Sequence, residues 1–373
     1  MVDLYNQYLK IKNEIDEAIF DVIKKSSFVK GEEVKKFEEK LAEYLNVKHV
    51  ISCGNGTDAL QIALMALDLE EGDEVITPNF TFISTVEVIL LLKLKPILID
   101  IDKKNFLIDT NKIKEKITKR TKVIMPVHLF GQAANMEEIL RIAKEHNLYV
   151  IEDTAQALGT NVFVNGEWQK AGTIGDIGCT SFFPTKNLGC FGDGGAIFTN
   201  NDKLANKIRA IANHGMLKRY YHEYIGVNSR LDSIQANILS VKLKYLNDFI
   251  KKRQETAAKY NQLLSNISYI EIPTTVDWST HTYHQYCIIV KNDLRDALKE
   301  YLEKNNIPTM VYYPLPIHQQ PAYKFLAFND NELINSICIS KSILALPMHT
   351  ELTNEQIHFI VDKIKEFFEL YAN

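Results

Sequence analysis

The sequence has few cysteines, and they form no recognisable pattern. Its 373 residues contain five, with no CxxC pair among them, so neither a disulfide framework nor a cysteine-based metal site is expected. The five are Cys53, Cys179, Cys190, Cys287 and Cys338. Because free cysteine behaves as a small apolar side chain, runs such as QYCIIV predict buried thiols. No metal site is predicted in the chain.

Long hydrophobic runs and charge of one sign are also missing. The apolar run over residues 88–92 ends at Lys93, far short of the ~20 apolar residues of a membrane-spanning helix. The 43 basic and 47 acidic residues are intermixed, without the basic stripe that a nucleic-acid interface requires. Residues 1–25 follow an amphipathic helix pattern rather than that of a signal peptide. We therefore expect a cytoplasmic protein that binds neither membrane nor nucleic acid.

The sequence does contain a regular alternation of short apolar runs and helical patterns. Seven apolar runs of strand length lie between about residues 48 and 200, and stretches with a period near 3.6, such as GTDALQIALMALDL, separate several of them. The runs are KHVISCG, DEVITPNF, KPILIDID, TKVIMPVHLF, YVIEDTAQ, DIGCTSFF and GGAIFTN. This order predicts an α/β domain with a large, mostly parallel sheet, in which ligands bind beyond the carboxyl ends of the strands.

The pattern changes after about residue 233. A long helical stretch, SIQANILSVKLKYLNDFIKKRQETAAKYNQLLSN, leads to YHQYCIIV, a helix near Asp293 to Asn305, IPTMVYYPL and a final helix from about Thr353 to Tyr371. The length of the chain and its 46% hydrophobic residues allow two cores. We predict a large domain over residues 1–233 and a smaller α/β domain, entered through the long helix, over residues 234–373.

Glycines and carboxylates stand where two of the predicted strands end. In SCGNGTDAL, the turn leads into a helix whose N-terminal N–H groups attract phosphate, so Gly56 and Thr57 are candidate ligands, although a plain connection looks the same. In YVIEDTAQALG, only one of Glu152 and Asp153 can face the cleft because side chains alternate along a strand. That carboxylate is either a partner for a protonated ring nitrogen or an ordinary helix N-cap.

The strongest signal is Lys186, in DIGCTSFFPTKNLGCFGDGGAIFTN. It lies in an irregular segment between an apolar strand and a Gly-rich turn that returns to another strand. A single lysine is most often a solvated charge. An amine in a partly desolvated cleft, however, has a lowered pKa, and its neutral form can make a Schiff base with a carbonyl.

Together these segments resemble the DegT/StrS family of nucleotide-sugar aminotransferases. The resemblance runs from about Val2 to the final helix, with GNGTDAL, ITPNFTFISTVE, PVHLFGQ, IEDTAQALG, SFFPTKNLGCFGDGGAIFTN and GVNSRLDSIQA in family order. It implies an α/β fold-type-I transferase, with a large mostly parallel sheet domain and a smaller C-terminal α/β domain. The implied cofactor is pyridoxal 5′-phosphate (PLP), with pyridoxamine phosphate as its aminated form.

The resemblance also implies roles for individual residues. Lys186 matches the lysine that binds PLP as a Schiff base and moves protons, and Asp153 matches the carboxylate that keeps the ring nitrogen protonated. The other implied cofactor ligands are Gly56, Thr57 and Ser181 at the phosphate, Gln156 near the phenolic oxygen, and Phe82 stacked on the ring.

Two further segments resemble parts of the family's sites at the subunit interface and beside the sugar. In GVNSRLD, Asn228 matches a residue that reaches the neighbouring subunit's phosphate, and Arg230 is implied to position substrate; capping and surface pairing are the alternatives. The loop VYYPLPIHQQPAY makes Tyr312 and His318 candidate substrate residues. Many relatives have His where this chain has Tyr312, so no catalytic role is transferred to it. His318, and His349 in LPMH, equally suit structural hydrogen bonds.

The family resemblance implies a homodimer with shared active sites, in which glutamate donates an amino group to a nucleotide-linked keto-sugar. The motifs are most similar to enzymes that aminate carbon 3 of UDP-2-acetamido-3-keto hexoses or hexuronates, for surface polysaccharide or lipid A type glycans. A dTDP-3-keto-6-deoxyhexose enzyme and a carbon 4 enzyme remain alternatives. A dehydratase of this fold would have His at the position of Lys186. A non-catalytic PLP-binding regulator would need a DNA-binding module, for which the predicted domains leave no segment.

Overall fold

The computed structural model describes residues 1–371, which form twelve α-helices and fourteen strands. The helices are α1 Leu4–Lys10, α2 Lys12–Lys25, α3 Glu32–Leu45, α4 Gly56–Met65, α5 Ser84–Leu91, α6 Met136–His146, α7 Asp202–Ile211, α8 Ser233–Leu243, α9 Leu246–Leu264, α10 Arg295–Lys304, α11 Ile334–Ser342 and α12 Asn354–Tyr371. The strands are β1 His49–Cys53, β2 Glu74–Pro78, β3 Lys95–Ile99, β4 Thr121–Ile124, β5 Tyr149–Asp153, β6 Asn161–Val164, β7 Glu167–Lys170, β8 Ile177–Ser181, β9 Gly195–Thr199, β10 Met216–Lys218, β11 Tyr221–His222, β12 Ile270–Glu271, β13 Tyr286–Val290 and β14 Ile343–Leu346.

The largest sheet has seven strands, in the order β1, β9, β8, β5, β4, β2, β3. The pairs from β8 to β3 are parallel, whereas β9 runs antiparallel to both of its neighbours. All seven strands come from the seven apolar runs of the sequence, so the predicted mostly parallel sheet is confirmed. The parallel order brings the carboxyl ends of β2, β4, β5 and β8 to one edge, where ligands bind in sheets of this type.

Both faces of this sheet are covered, which explains the continuous apolar runs. On β5, Ile151 packs into a core shared with α4, α5 and α7, whereas the neighbouring Val150 points into a different core with α6. Helices α3 and α8 cover the region of β1 and β9 through residues such as Phe37 and Leu239. Because successive side chains of a strand point to opposite faces of the sheet, each strand contributes apolar residues to the cores on both faces. The polar residues lie at the strand ends.

A second sheet is antiparallel and has the order β12, β13, β14. Its core includes residues from α9, α10 and α12. The long helical stretch predicted from residue 233 is two helices, because the Tyr245 N–H bonds to the Lys242 carbonyl three residues back and interrupts the regular helix between α8 and α9. The segment IPTMVYYPL is a loop with one bridge, from Met310 to Ala345. The domain boundary at residue 233 stays a prediction.

The remaining sequence expectations concern the thiols and the apolar segments. Four cysteines are buried, as expected, and the exposed one is Cys338, on α11. Within residues 1–371, none of the helices combines the length and the apolar composition needed to cross a bilayer.

Candidate active site

The turn before α4 lies against the end of β8. Asn55 caps the helix by accepting a 2.8 Å hydrogen bond from the Asp58 N–H. A side chain on Gly56 would place its Cβ 2.7 Å from the Ser181 Cβ, so only glycine permits this close approach. The first N–H groups of a helix have no partner within the helix and favour an anion. The fold thus brings together Gly56, Thr57 and Ser181, the three residues expected at a phosphate; their role stays a prediction.

The two carboxylates at the end of β5 have different surroundings. Glu152 is fully buried and accepts hydrogen bonds from the N–H groups of Gly172, Ile174 and Gly175 at 2.6–2.8 Å. It also accepts one from His128 Nε2 at 2.9 Å, since the Ala134 N–H donates to Nδ1 and leaves the proton on Nε2. Glu152 is therefore a structural carboxylate that holds the loop after β7.

Asp153 has fewer partners. One oxygen accepts a hydrogen bond from Ala155 N–H at 3.1 Å and the other from Thr85 Oγ1 at 3.2 Å. Burial raises the pKa of Asp153 because water no longer solvates the negative charge, and the Ala155 N–H, Lys186 and Thr85 offset only part of this effect. As strand alternation predicted, one of the two carboxylates, Asp153, is directed toward the lysine.

Lys186 lies in the loop that joins β8 to β9. Its N–H donates to the Phe183 carbonyl at 2.8 Å, which closes a tight turn just after the strand. Burial of the amine lowers the pKa of Lys186 to about 8, and the negative charge of Asp153 acts in the opposite direction. The amine is therefore neutral far more often than that of a solvated lysine, as expected for an amine in a partly desolvated cleft.

Gln156 and Tyr313 form a polar pair at the same edge. Gln156 Oε1 accepts the Phe130 N–H at 2.7 Å, and its Nε2 donates to Tyr313 Oη at 3.0 Å. The Tyr313 ring meets Phe80 edge-on at 5.7 Å and lies 6.4 Å from the ring of Phe82. Phe82 is 54% exposed, so one side of its ring is free to stack on another group.

The structure adds polar groups that the sequence did not single out. Asn187 Oδ1 and His284 Nδ1 are buried without a hydrogen-bond partner among the described residues. Desolvation, with the charge of Lys186, lowers the pKa of His284 well below its usual value and keeps the imidazole neutral. Tyr313 belongs to the loop VYYPLPIHQQPAY, but nothing in the sequence favours it over Tyr312, whose ring lies 5.9 Å away and is partly buried. The sequence therefore indicates the loop, but only the fold shows that Tyr313 is the residue that contacts Gln156.

Two predicted residues lie apart from this group within one chain. Asn228 is exposed and pairs through its backbone with Asn213. Arg230 lines a cleft of about 510 Å³ together with Lys30 and Arg209. Over residues 1–371, no hydrogen bond or ion pair connects the side chains of Asn228 and Arg230 with Lys186. Their roles stay predictions that need a second chain.

The two histidines near the end of the chain have local partners. His318 is buried, with Nδ1 3.0 Å from Asn79 Oδ1 and Nε2 3.2 Å from an Asp330 oxygen. His349 accepts the Glu351 N–H at 3.3 Å, and burial with the nearby N-terminal amine lowers its pKa to about 4. The structural alternative accounts for these contacts, and a substrate role for His318 stays a prediction.

The chain is similar to known proteins over nearly its whole length. The DegT/DnrJ/EryC1/StrS aminotransferase family matches residues 9–365. The chain is 45% identical, over 100% of its length and 99% of the relative, to a pleiotropic regulatory protein of Geobacillus stearothermophilus. It is 42% identical, over 96% of its length and 97% of the relative, to a UDP-2-acetamido-2-deoxy-3-oxo-D-glucuronate aminotransferase of Pseudomonas aeruginosa. The crystal structure of ntda from Bacillus subtilis with bound cofactor PMP is 32% identical, with a TM-score of 0.87 over 96% of this chain and 82% of that one.

The residues at the strand ends fit a pyridoxal phosphate. A buried carboxylate whose negative charge lacks water suits a protonated ring nitrogen, and a partly neutral amine suits a carbonyl carbon. Gly56 lets the start of α4 approach Ser181, which brings a hydroxyl to the helix N-terminus, and Asn187 and His284 offer unpartnered polar atoms nearby. The site therefore has a partner for each end of the cofactor.

Exchanging each carboxylate at the end of β5 for its amide should separate structure from chemistry. Glu152→Gln puts an NH2 group among four hydrogen-bond donors, so we expect it to cost on the order of 3 kcal/mol of unfolding free energy. The folded-state pKa of Asp153 lies above its unfolded value, so its ionised form destabilises the fold at neutral pH. Asp153→Asn without cofactor should therefore be at least as stable as the wild type.

Urea unfolding at pH 7, followed by circular dichroism, measures both effects. A Glu152→Gln protein as stable as the wild type would show that the loop after β7 does not depend on this carboxylate.

Proposed function

The chain belongs to the DegT/DnrJ/EryC1/StrS aminotransferase family, and from this premise we propose that it transfers an amino group from glutamate to a nucleotide-linked keto-sugar. We propose carbon 3 of a UDP-2-acetamido-3-keto hexose or hexuronate as the acceptor. The observation that carries the proposal is the desolvated Lys186 amine beside the buried Asp153 carboxylate at the carboxyl ends of β8 and β5.

The cofactor of this family is PLP, and the residues of the site would hold it at three points. Gly56, Thr57 and Ser181 would bind the phosphate, Asp153 the ring nitrogen, and Lys186 the reactive carbon. When bound, PLP supplies an electron sink that stabilises negative charge on the carbon next to the transferred nitrogen. The protein must then position substrates and move protons.

Lys186 is suited to move the proton. With a pKa of about 8, about a tenth of its amines are neutral at pH 7, compared with fewer than one in a thousand for a solvated lysine. A neutral Nζ can attack a carbonyl carbon, and it can take a proton from one carbon and return it to another. The same atom thus serves both half-reactions, with glutamate and with the keto-sugar.

Asp153 is suited to hold positive charge on a ring nitrogen. Its oxygens are oriented by the Ala155 N–H and Thr85 Oγ1, and burial makes its ionised form unfavourable unless a cation is adjacent. A protonated pyridinium supplies that cation. An ordinary helix cap would not need a carboxylate buried to this degree.

The choice of acceptor depends on relatives and motifs. The relative from Pseudomonas aeruginosa acts on a UDP-2-acetamido-3-oxo-glucuronate and matches almost the entire chain. That similarity supports UDP and carbon 3, in a pathway for surface polysaccharides or lipid A type glycans. A dTDP-3-keto-6-deoxyhexose is the second candidate because PLPIHQQPAY is similar to that group of enzymes.

A homodimer would complete the site. Asn228 is exposed in one chain, and it adjoins Ser229, which donates to Asp58 at 2.6 Å near the start of α4. The exposed side-chain amide of Asn228 can donate a hydrogen bond to a phosphate held by a second chain. We propose that Asn228 does so and that Arg230 contacts the substrate there, with the enzyme working in the cytoplasm.

We predict that Lys186→Ala abolishes turnover and prevents borohydride from fixing PLP to the protein, because no other amine occupies this position. Peptide mapping after reduction identifies the labelled lysine. Lys104→Ala, which changes an exposed lysine, should behave as the wild type. A label on any lysine other than Lys186 would refute the assignment.

The acceptor can be identified with the pyridoxamine form of the enzyme. We expect a UDP-2-acetamido-3-keto sugar to restore the PLP absorbance faster than dTDP-3-keto-6-deoxyhexoses or any 4-keto sugar, measured by stopped-flow spectroscopy. Faster recovery of the PLP absorbance with a dTDP sugar or a 4-keto sugar would identify that sugar as the acceptor instead. If no sugar reacts while Lys186 still carries the cofactor, a non-catalytic regulator becomes the better description.

The shared site can be tested by complementation. Lys186→Ala and Asn228→Asp chains should each be inactive, the second because its carboxylate repels the phosphate. In a mixed dimer one site carries both lesions and the other carries neither, so about half of the sites in heterodimers should regain activity. The proposal of shared sites is wrong if subunit exchange is verified and no activity returns, or if the active species sediments as a monomer.

A further inference from the structure

Lys242 is a buried cation that the proposed reaction does not use. It lies in α8, is 2% exposed, and forms no ion pair within residues 1–371. Its Nζ donates a 2.7 Å hydrogen bond to the Gly189 carbonyl and lies 4.5 Å from the centroid of the Phe191 ring. Burying an ammonium group is costly without compensation, and here the compensation comes from one short segment of chain.

A second side chain of α8 holds the same segment. Gln235 Oε1 accepts the Phe191 N–H at 2.7 Å, and Gln235 Nε2 lies 3.3 Å from the Phe191 carbonyl, to which it donates. Residues 235 and 242 are seven apart, so they lie on one face of the helix, two turns from each other. Together they bind both ends of the segment over residues 189–191.

This segment is one arm of the loop that carries Lys186. The base of the loop is closed by the Cys190 N–H, which donates to the Phe182 carbonyl at 2.8 Å. A Cβ on Gly189 would come within 2.4 Å of the Pro184 carbonyl oxygen, so the two arms are in contact. A shift of residues 189–191 would therefore displace residues 182–184, and Lys186 is bonded to this arm through the Phe183 carbonyl.

We infer that Lys242 and Gln235 are positioning residues for Lys186: as a clamp on residues 189–191, they hold the Lys186 amine at its depth in the cleft. The inference rests on the proposed role of Lys186. Neither residue touches the reacting atoms, so neither is catalytic. Because α8 directly follows the segment with Asn228, the helix also connects the cofactor lysine of one chain with the residue proposed to reach the partner.

The clamp has a consequence that can be measured without substrate. If it is loosened, water reaches the Lys186 amine and the desolvation that lowers its pKa to about 8 is reduced. In the protein without cofactor, the pH midpoint for labelling Lys186 with fluorodinitrobenzene should then move from about 8 toward the value of an ordinary lysine. The dissociation constant for PLP should rise about tenfold, the effect expected from losing one charged hydrogen bond.

The experiment compares four variants with the wild type by peptide mass spectrometry, PLP titration and thermal unfolding. Lys242→Met should show both effects, and Lys242→Arg, which keeps a cationic donor, should recover part of each. Gln235→Met removes the bonds to Phe191 from a partly exposed position and should shift both readouts in the same direction, even if Lys242→Met fails to fold. Lys244→Met is the matched control, since Lys244 adjoins the same helix but pairs with Glu14.

The outcomes separate the two proposals. Folded Lys242→Met and Gln235→Met proteins with the wild-type midpoint and PLP affinity would overturn the clamp, and so would a lower unfolding temperature as the only change. Failure of the wild type to fix PLP at Lys186 would refute the proposed function instead, while the labelling midpoint of the cofactor-free protein still decides whether α8 sets the environment of the amine.

Discussion

The candidate active site depends on the removal of water from two opposite charges. Asp153 is the last residue of β5, and Lys186 lies just beyond the end of the neighbouring parallel strand β8. Both side chains are shielded from solvent there, and each charge stabilises the other. Desolvation raises the pKa of the acid and lowers that of the amine, while their mutual attraction opposes both shifts. Desolvation and mutual attraction therefore oppose each other in this pair. A small change in the solvation of Lys186 alters the fraction of its amine that is neutral.

The backbone around this pair is held by other polar groups. Glu152, the neighbour of Asp153, accepts hydrogen bonds from four donors, three backbone N–H groups and His128, so the same strand end supplies one fully satisfied carboxylate and one with fewer partners. On the other side, the loop carrying Lys186 is closed by backbone hydrogen bonds at its base and is bonded to two side chains of α8. Hydrogen-bonded polar groups thus lie on both sides of the Asp153 and Lys186 pair.

The sequence by itself determined the fold class and predicted the two central residues of the candidate site, Lys186 and Asp153. Apolar runs of strand length, separated by helical periods, are a local signal, because a strand buried on both faces needs apolar residues at nearly every position. Alternation likewise sends adjacent carboxylates to opposite faces, and so predicted that only one of Glu152 and Asp153 would face the cleft. The order of the motifs, from GNGTDAL to GVNSRLD, indicated the family.

Only the tertiary structure decided which distant residues meet. The sequence pattern gives Lys242 and Gln235 no special role in a long helix. Their contacts with Gly189 and Phe191 arise because α8 packs against the β8–β9 loop, about fifty residues earlier in the chain. Tyr313 joins Gln156 across 157 residues, and His318 turns toward Asn79 across 239. Such pairs depend on the path of the whole chain, whereas periodicity reports only the neighbours within a few residues.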